Sequence, residues 1–323
     1  MSIKNPITGL PPRIVIVGSI NMDLVARMNR LPKPGETVTG ESFQTISGGK
    51  GANQAVAAAR LGARVSMIGR LGDDSFGVTL RKNLTSAGVD TNHVIQTHGV
   101  SSGVAMIGVE QSGANAITVI PAANGQLTAE DVRSCQEIIS TANALIVQLE
   151  TPIETVAAAI QIAKKHQVLT VLDPAPAPKG LLPQELMTVD ILSPNQSEAE
   201  ALTGIPVVDW ESAQRAAQAM RKLGANAVVL KMGELGALVV AQDGSIHQIP
   251  ACKAEIVDTT AAGDAFTAAL TVALCEGQSL ANAAYFGSLA GTLACTRFGA
   301  QPAMPTRDEL TKWAELSSEF VNS

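Results

Sequence analysis

The stretch Asp258-Thr259-Thr260-Ala261-Ala262-Gly263-Asp264-Ala265-Phe266 runs from a turn of small residues into a long apolar helix spanning residues 261–276. Small side chains leave the first-turn N–H groups bare, and those groups have no partner inside a helix. Such an end carries roughly half a positive charge and suits a phosphate. Asp264, in the first turn, is placed to take a proton from a hydroxyl that approaches the anion pocket. A plainer reading of the same residues has Asp258 or Thr259 capping the helix and Asp264 as an acid favoured by the dipole.

Other chemistry-bearing residues are scattered along the chain. Asn21 and Asp23 are two apart, so in extended chain they share one side and can clamp vicinal hydroxyls; an Asx-turn leaving a strand is the alternative. In Ser47-Gly48-Gly49-Lys50-Gly51-Ala52-Asn53-Gln54 the glycines let the backbone approach a ligand and Asn53 can reach a hydroxyl, or the run is only a tight turn before a helix. Glu150 closes an apolar strand, and ligands of open α/β sheets gather at such ends. Asp173 also falls at a strand end, with no role assigned. Asn195 and Glu198 lie on one side of a first helical turn. A carboxylate there repels phosphate unless a cation lies between, which suits a water-bridged Mg²⁺ at Glu198 and a phosphate contact at Asn195. A capping box explains the same pair structurally, and both can hold together. Neither G-x-G-x-x-G nor a P-loop is present, which sets aside those two nucleotide modes.

D-T-T-A-A-G-D at 258–264 and G-G-K-G-A-N-Q at 48–54 closely resemble the two signatures of the ribokinase (PfkB) family of carbohydrate kinases. N-M-D at 21–23, Q-L-E at 148–150, N-Q-S-E at 195–198, K-M-G-E-L-G at 231–236 and R-F-G-A-Q at 297–301 extend the resemblance over nearly the whole chain. It implies a three-layer α/β/α Rossmann-like fold with a small antiparallel β-sheet as lid, and a homodimer through the lid sheets. The implied reaction is ATP-dependent phosphorylation of D-ribose at O5, giving D-ribose 5-phosphate. Asp264 would be the general base, with the N–H groups of Ala261, Ala262 and Gly263 as anion hole. The resemblance puts Asn21, Asp23, Gly49, Lys50, Asn53 and Glu150 around the sugar, and Asn195, Lys231, Gly233, Gly236, Gly263 and Ser288 around ATP. It gives Glu198 the Mg²⁺ through water, and Asp258, Thr260, Ala294, Arg297, Gly299 and Ala303 a monovalent cation, K⁺. Departures from the family pattern are Lys231 for Thr, Ala303 for Ser, Ser288 for His or Asn, and Ala122 for Gly in Pro121-Ala122-Ala123-Asn124. The alternatives are a 2-deoxyribose kinase or another sugar or nucleoside kinase of the family, and, in a different class, a non-catalytic sugar-binding sensor.

Positioning these residues requires an alternation of strands and helices. Apolar β-branched runs at 13–18, 65–69, 144–150, 168–173 and 227–231 read as buried strands. Runs at 55–61, 76–87, 211–223, 261–276 and 280–296 read as helices, most of them stopped by Gly. Patches at 36–40, 104–109 and 116–120 read as lid strands, placing the lid within about 22–46 and 100–122. Asp243-Gly244 between 238–241 and 245–249 signals a type I′ hairpin at the sheet edge. Residues 1–12 read as a disordered leader and 13–320 as one α/β kinase domain. Hydrophobic content of 46% with 3% aromatics gives an ample aliphatic core. A net charge of −6 and pI near 5.3 argue against nucleic acid or an anionic membrane as partner. Four dispersed cysteines without C-x-x-C spacing read as apolar fillers of a reduced, cytoplasmic protein. No run approaches a membrane span, no signal-peptide core is seen, and the four histidines lack metal-ligand spacing.

Overall fold

Ile14 and Ile16 bury against one layer of helices, while Val15 and Val17, their neighbours on the same strand, bury against the other. This alternation is the period-two geometry of a strand covered on both faces. The computed structural model describes residues 10–321 apart from 113, 179 and 181, with the backbone alone from 316 onward. Residues 1–9 of the expected leader lie outside the described residues.

In chain order the elements begin with β1 (Arg13–Val17), β2 (Asn21–Met28), β3 (Gly40–Gly48), α1 (Lys50–Arg60), β4 (Arg64–Gly72), α2 (Ser75–Ser86) and β5 (Val89–Thr97). Then come β6 (Gly103–Glu110), β7 (Asn115–Ile120), α3 (Ala129–Ser134), α4 (Gln136–Thr141), β8 (Ala144–Val147), α5 (Ile153–Lys165), β9 (Leu169–Leu172) and α6 (Gln184–Met187). The last third holds β10 (Ile191–Leu192), α7 (Gln196–Thr203), α8 (Trp210–Lys222), β11 (Ala227–Lys231), β12 (Ala237–Val240), β13 (Ile246–Ile249), α9 (Ala262–Cys275), α10 (Leu280–Cys295) and α11 (Arg307–Val321).

The main sheet has the order β13-β12-β11-β10-β9-β8-β1-β4-β5. Its seven strands from β11 to β5 pair in parallel, and β12 and β13 join antiparallel at one edge. Helices α1, α2, α9, α10 and α11 share one core with the sheet, and α3 to α8 share the other, which makes the three layers. Alanine-rich helix α9 packs against both α1 and α10. The lid is a four-stranded sheet in the order β3-β2-β6-β7. Its outer pairs are antiparallel, as expected, but its central pair β2–β6 is parallel over eight residues.

Three local expectations are corrected. The lid strand expected at 36–40 is coil over 36–39, after a turn at 34–35, and the strand is Gly40–Gly48. Helix α1 starts at Lys50 rather than Ala55, because Gly49 at φ 89 turns the chain directly into it. The β12–β13 loop is longer than a type I′ turn: Val240 pairs with Ile246, and Gly244 N–H donates to the Ala241 carbonyl (3.0 Å). Only Gly244 takes positive φ there (89°), whereas type I′ needs it at both central residues.

Candidate active site

Strands β1, β8, β9, β10 and β11 all run parallel and end on one edge of the sheet. The chain leaving those ends carries Ser19, Glu150, Asp173, Asn195 and Lys231. Helix α9 points its N-terminus at the same place, and lid strand β2 supplies Asn21 and Asp23. The site therefore sits where side chains from distant segments converge at strand C-termini.

At the mouth of α9, Ala261 occupies the N-cap position in the left-handed conformation (φ 59, ψ 13), and no side chain caps the helix. The alternative of an Asp258 or Thr259 cap is thereby excluded. Asp258 instead accepts from the Thr260 N–H (2.9 Å), the Thr260 hydroxyl (2.6 Å) and the Gly299 N–H (2.9 Å), joining the turn to the 297–301 loop. Ala262 N–H is turned back onto the Thr259 carbonyl (3.3 Å), while the N–H groups of Ala261, Gly263 and Asp264 have no partner among the described residues.

Asp264 is 3% exposed and accepts on both oxygens, from Asn53 Nδ2 (2.9 Å) and from Gln54 Nε2 (3.1 Å). Burial raises its pKa, with Asp173 adding to the effect and Lys50 and the two amides opposing it. Gln54 also donates to Asp173 Oδ2 (2.9 Å), and its own oxygen accepts from Gln148 Nε2 (2.6 Å). Lys231 Nζ donates to Asp173 Oδ1 (2.9 Å), so the ammonium expected beside phosphate is paired with a carboxylate. Sequence reasoning missed Gln54, Gln148 and the role of Asp173; two amides inside the quoted signatures were the available signal.

On the lid side, Asn124 grips the β1–β2 connection by accepting from Ile20 N–H (2.9 Å), and its Nδ2 donates to Asn21 Oδ1 (2.7 Å). With its oxygen so occupied, buried Asn21 keeps its amide NH₂ as donor. Asp23 shares that face of β2, and its carboxylate would overlap any Cβ on Gly48 (2.2 Å). Burial, then Glu150 and Asp264, push the Asp23 carboxyl up to about 7. Gly49 lies against Asn21, where a Cβ would come within 2.6 Å of the Asn21 nitrogen. Glu150 accepts from Ser19 Oγ (2.5 Å) and Lys50 N–H (3.2 Å). Burial alone would lower the Lys50 pKa, but Asp264, Asp173, Glu150 and Glu198 together raise it. Asn53 Oδ1 and Gln148 Oε1 are buried acceptors without a partner among the described residues, the kind of atom that calls for a ligand or water.

Asn195 and Glu198 form the capping box of α7: Asn195 Oδ1 accepts from Glu198 N–H (2.9 Å), and both Glu198 oxygens accept from Asn195 (2.7 and 2.9 Å). Burial raises the Glu198 pKa, Asp173 adding to it and Lys231 opposing it. Gly236, at φ 101, has a packing reason of its own, since a Cβ there would meet the Ile249 carbonyl at 2.0 Å. Gly233 takes φ 56 in the same loop. Ser288, 6% exposed on α10, donates to the Pro250 carbonyl (3.4 Å). Of the expected cation ligands, Asp258, Thr260 and Gly299 are joined by hydrogen bonds; Ala294 O accepts from Arg297 N–H (3.3 Å), and Ala303 is fully buried in a 3-10 turn. The lid touches this loop: the Arg27 guanidinium lies 4.9 Å over the Phe298 ring, and Gln301 Nε2 donates to the Gly48 carbonyl (3.3 Å).

The chain matches the family described as pfkB family carbohydrate kinase over residues 11–307. It is 41% identical over 303 residues to a ribokinase of Haemophilus influenzae, covering 94% of this chain and 98% of that protein. It is 36% identical over 304 residues to a deoxyribokinase of Salmonella typhimurium, covering 94% and 99%. The structure of Arabidopsis thaliana ribokinase, determined with ribose and ATP, superposes with a TM-score of 0.87 at 34% identity, covering 94% of this chain and 99% of that one. No helix among the described residues is long and apolar enough to cross a membrane. With the family matched over residues 11–307 and relatives above 30% identity covered almost end to end, the chain belongs to the pfkB family of carbohydrate kinases.

Proposed function

We propose that this chain transfers the γ-phosphoryl group of ATP to O5 of D-ribose. The observation that carries the reading is the uncapped mouth of α9 with Asp264 buried in its first turn, both oxygens oriented by amides. Asn21, Asp23, Gly49, Lys50, Asn53 and Glu150 hold the sugar, and the unpartnered Asn53 Oδ1 accepts from one of its hydroxyls. Asp264 takes the O5 proton as that oxygen attacks in line. The N–H groups of Ala261 and Gly263, with Ala262 turning to join them, receive charge on the transferred oxygens. Asn195, Gly233, Gly236 and Ser288 border the nucleotide, with Lys231 beside Gly263.

Two cations fit the residues present. Asp23, Glu150, Asp173, Glu198 and Asp264 outnumber Lys50 and Lys231 in one buried region, so a polyphosphate calls for a divalent ion. Glu198, with both oxygens already accepting from Asn195, suits a Mg²⁺ held through water. That ion supplies charge neutralisation on the phosphates. The all-oxygen set of Asp258, Thr260, Ala294, Arg297, Gly299 and Ala303 suits a hard monovalent ion such as K⁺, which would fix the 258–263 turn. The exposed apolar side chains Phe43, Met106, Ile117 and Val119 on the lid sheet favour a homodimer through the lids.

A 2-deoxyribose kinase is the second reading, favoured by the likeness to a deoxyribokinase. The Asn21 amide, its oxygen held by Asn124, argues for ribose because its NH₂ can serve the additional hydroxyl. Coupled ADP release over pentoses, hexoses and nucleosides, with and without K⁺, decides: ribose should give the highest kcat/KM, with activation by K⁺. Turnover confined to 2-deoxyribose, a hexose or a nucleoside overturns the ribose assignment. Sugar binding without ADP release would instead mark a sensor.

A further inference from the structure

Asp173 is 1% exposed at the end of β9, and an isolated buried carboxylate is costly. Two donors offset that cost: Lys231 Nζ on Oδ1 and Gln54 Nε2 on Oδ2, both at 2.9 Å. An amide NH₂ carries two hydrogens. The second hydrogen of Gln54 goes to Asp264 Oδ1 (3.1 Å), and Gln148 fixes the orientation of that amide by donating to Gln54 Oε1 (2.6 Å). One continuous chain of bonds thus runs Lys231–Asp173–Gln54–Asp264. The Lys231 side chain is itself mostly buried, and its Nζ lies 3.6 Å from where a Cβ on Gly263 would stand.

We propose that Lys231 and Asp173 are positioning residues for phosphoryl transfer: Asp173 anchors the Gln54 amide that orients the Asp264 carboxylate, and Lys231 compensates the Asp173 charge that would otherwise repel that carboxylate. Asp264 is faced by Lys50 from α1, Asp173 from the end of β9, Asp23 from β2 and, beside Gly263, Lys231 from β11. Asp173 is a repulsive member of that set, and Lys231 is the cation bonded to it. Removing Lys231 leaves the Asp173 charge uncompensated one amide away from the base. Removing both charges leaves Gln54 bonded to Asp264 without that repulsion, so the two substitutions are strongly non-additive. The pair also accounts for the lysine at a position where a threonine was expected: it is matched to an aspartate rather than to a phosphate alone.

This inference rests on Asp264 being the base, so the test needs a readout independent of turnover. The Asp264 carboxyl is followed by ¹³C NMR titration in the ligand-free protein, in wild type, Lys231→Met and Lys231→Met/Asp173→Asn; Asp264→Asn assigns the resonance. The acid limb of kcat is recorded in parallel at saturating sugar and MgATP. Lys231→Met should raise the titration midpoint of Asp264 by about one unit or more. The double variant should return it to near the wild-type value, and the kcat limb should follow. Lys231→Arg, which keeps the charge, should leave the midpoint within a few tenths of a unit of wild type and serves if Lys231→Met does not fold. An unmoved midpoint with a raised KM for ATP overturns the proposal and makes Lys231 a nucleotide contact only. Equal shifts in the single and double variants overturn it as well. A midpoint that moves while the kcat limb stays fixed sinks Asp264 as base and leaves the coupling of the charges standing.

Discussion

Asp23 offers the sharpest test of the sugar side. Its carboxyl is pushed from 3.8 up to about 7, first by burial and then by the charges of Glu150 and Asp264. A folded-state pKa above the unfolded one means that the native protein holds a proton the unfolded chain has lost. The resulting stabilisation is complete below pH 4 and is lost as pH rises through about 7. The span of about three pH units corresponds to about 4 kcal/mol at most. A sugar donating two hydroxyls to this side chain needs the ionised acceptor, so binding must displace the proton. Sugar affinity should therefore rise by up to about tenfold per pH unit from pH 5 to 7 and level off above. Calorimetric titration of ribose, at each pH and in two buffers of different ionisation heat, would show a proton released on binding below pH 7. In Asp23→Asn the affinity should be weak and flat with pH. Proton release and a pH slope that survive in Asp23→Asn would refute the assignment of Asp23 to the sugar.

Asp264→Asn sets an amide NH₂ against the donors of Asn53 or Gln54. It should cost about 1–3 kcal/mol of stability and cut kcat by about 10²–10⁴, with ribose binding by calorimetry retained; near-normal turnover would remove Asp264 as base. Gly103→Ala would place a Cβ 2.1 Å from Asn124 Nδ2 and 2.3 Å from Asn21 Oδ1, splitting that bonded pair. Sugar binding should weaken by about 1–3 kcal/mol, read as KM, with KM for ATP unchanged. Ala122 is held at φ 45, a left-handed conformation that L side chains resist. Ala122→Gly should stabilise the fold by about 0.5–1 kcal/mol in denaturant unfolding, the relief exceeding the entropy cost of glycine.

The parts of the fold that sequence exposes are those whose pattern matches burial. Strands β1, β8, β9 and β11 read as apolar β-branched runs because both faces are covered. Strand β3 escapes a pattern search because Gly40–Gly48 is solvent-facing over most of its length and has no hydrophobic period. Strand β5, Val89–Thr97, is a largely polar edge strand and gave no period either. Of the candidate site, the residues inside local signatures were legible, down to the Asn195–Glu198 pair, whose capping and ligand readings share one geometry. Lys231–Asp173 and Gln54–Gln148 were not, since each joins segments 58 and 94 positions apart that only the sheet order brings together.

The same contacts explain why so many carboxylates can share one buried region. Asp264, Asp173, Glu150 and Glu198 each accept at least two hydrogen bonds, from amides, backbone N–H groups, a hydroxyl or an ammonium. Asp23, for which no such donor is present among the described residues, is the member pushed up to about 7. Hydrogen bonds to the charged form oppose desolvation; at Asp264 the two amides, and at Glu198 the Asn195 N–H, work against a burial that still raises both carboxyls. A neutral polyol with several donors completes such an arrangement, whereas a bare polyphosphate would be repelled by it. In the proposed reading the anion sits at the α9 mouth, where Ala261 in its left-handed turn leaves the helix end open. Acceptors for a sugar on one side and unpaired amides for an anion on the other meet at Asp264, and that adjacency makes the site suited to moving a phosphoryl group onto an alcohol.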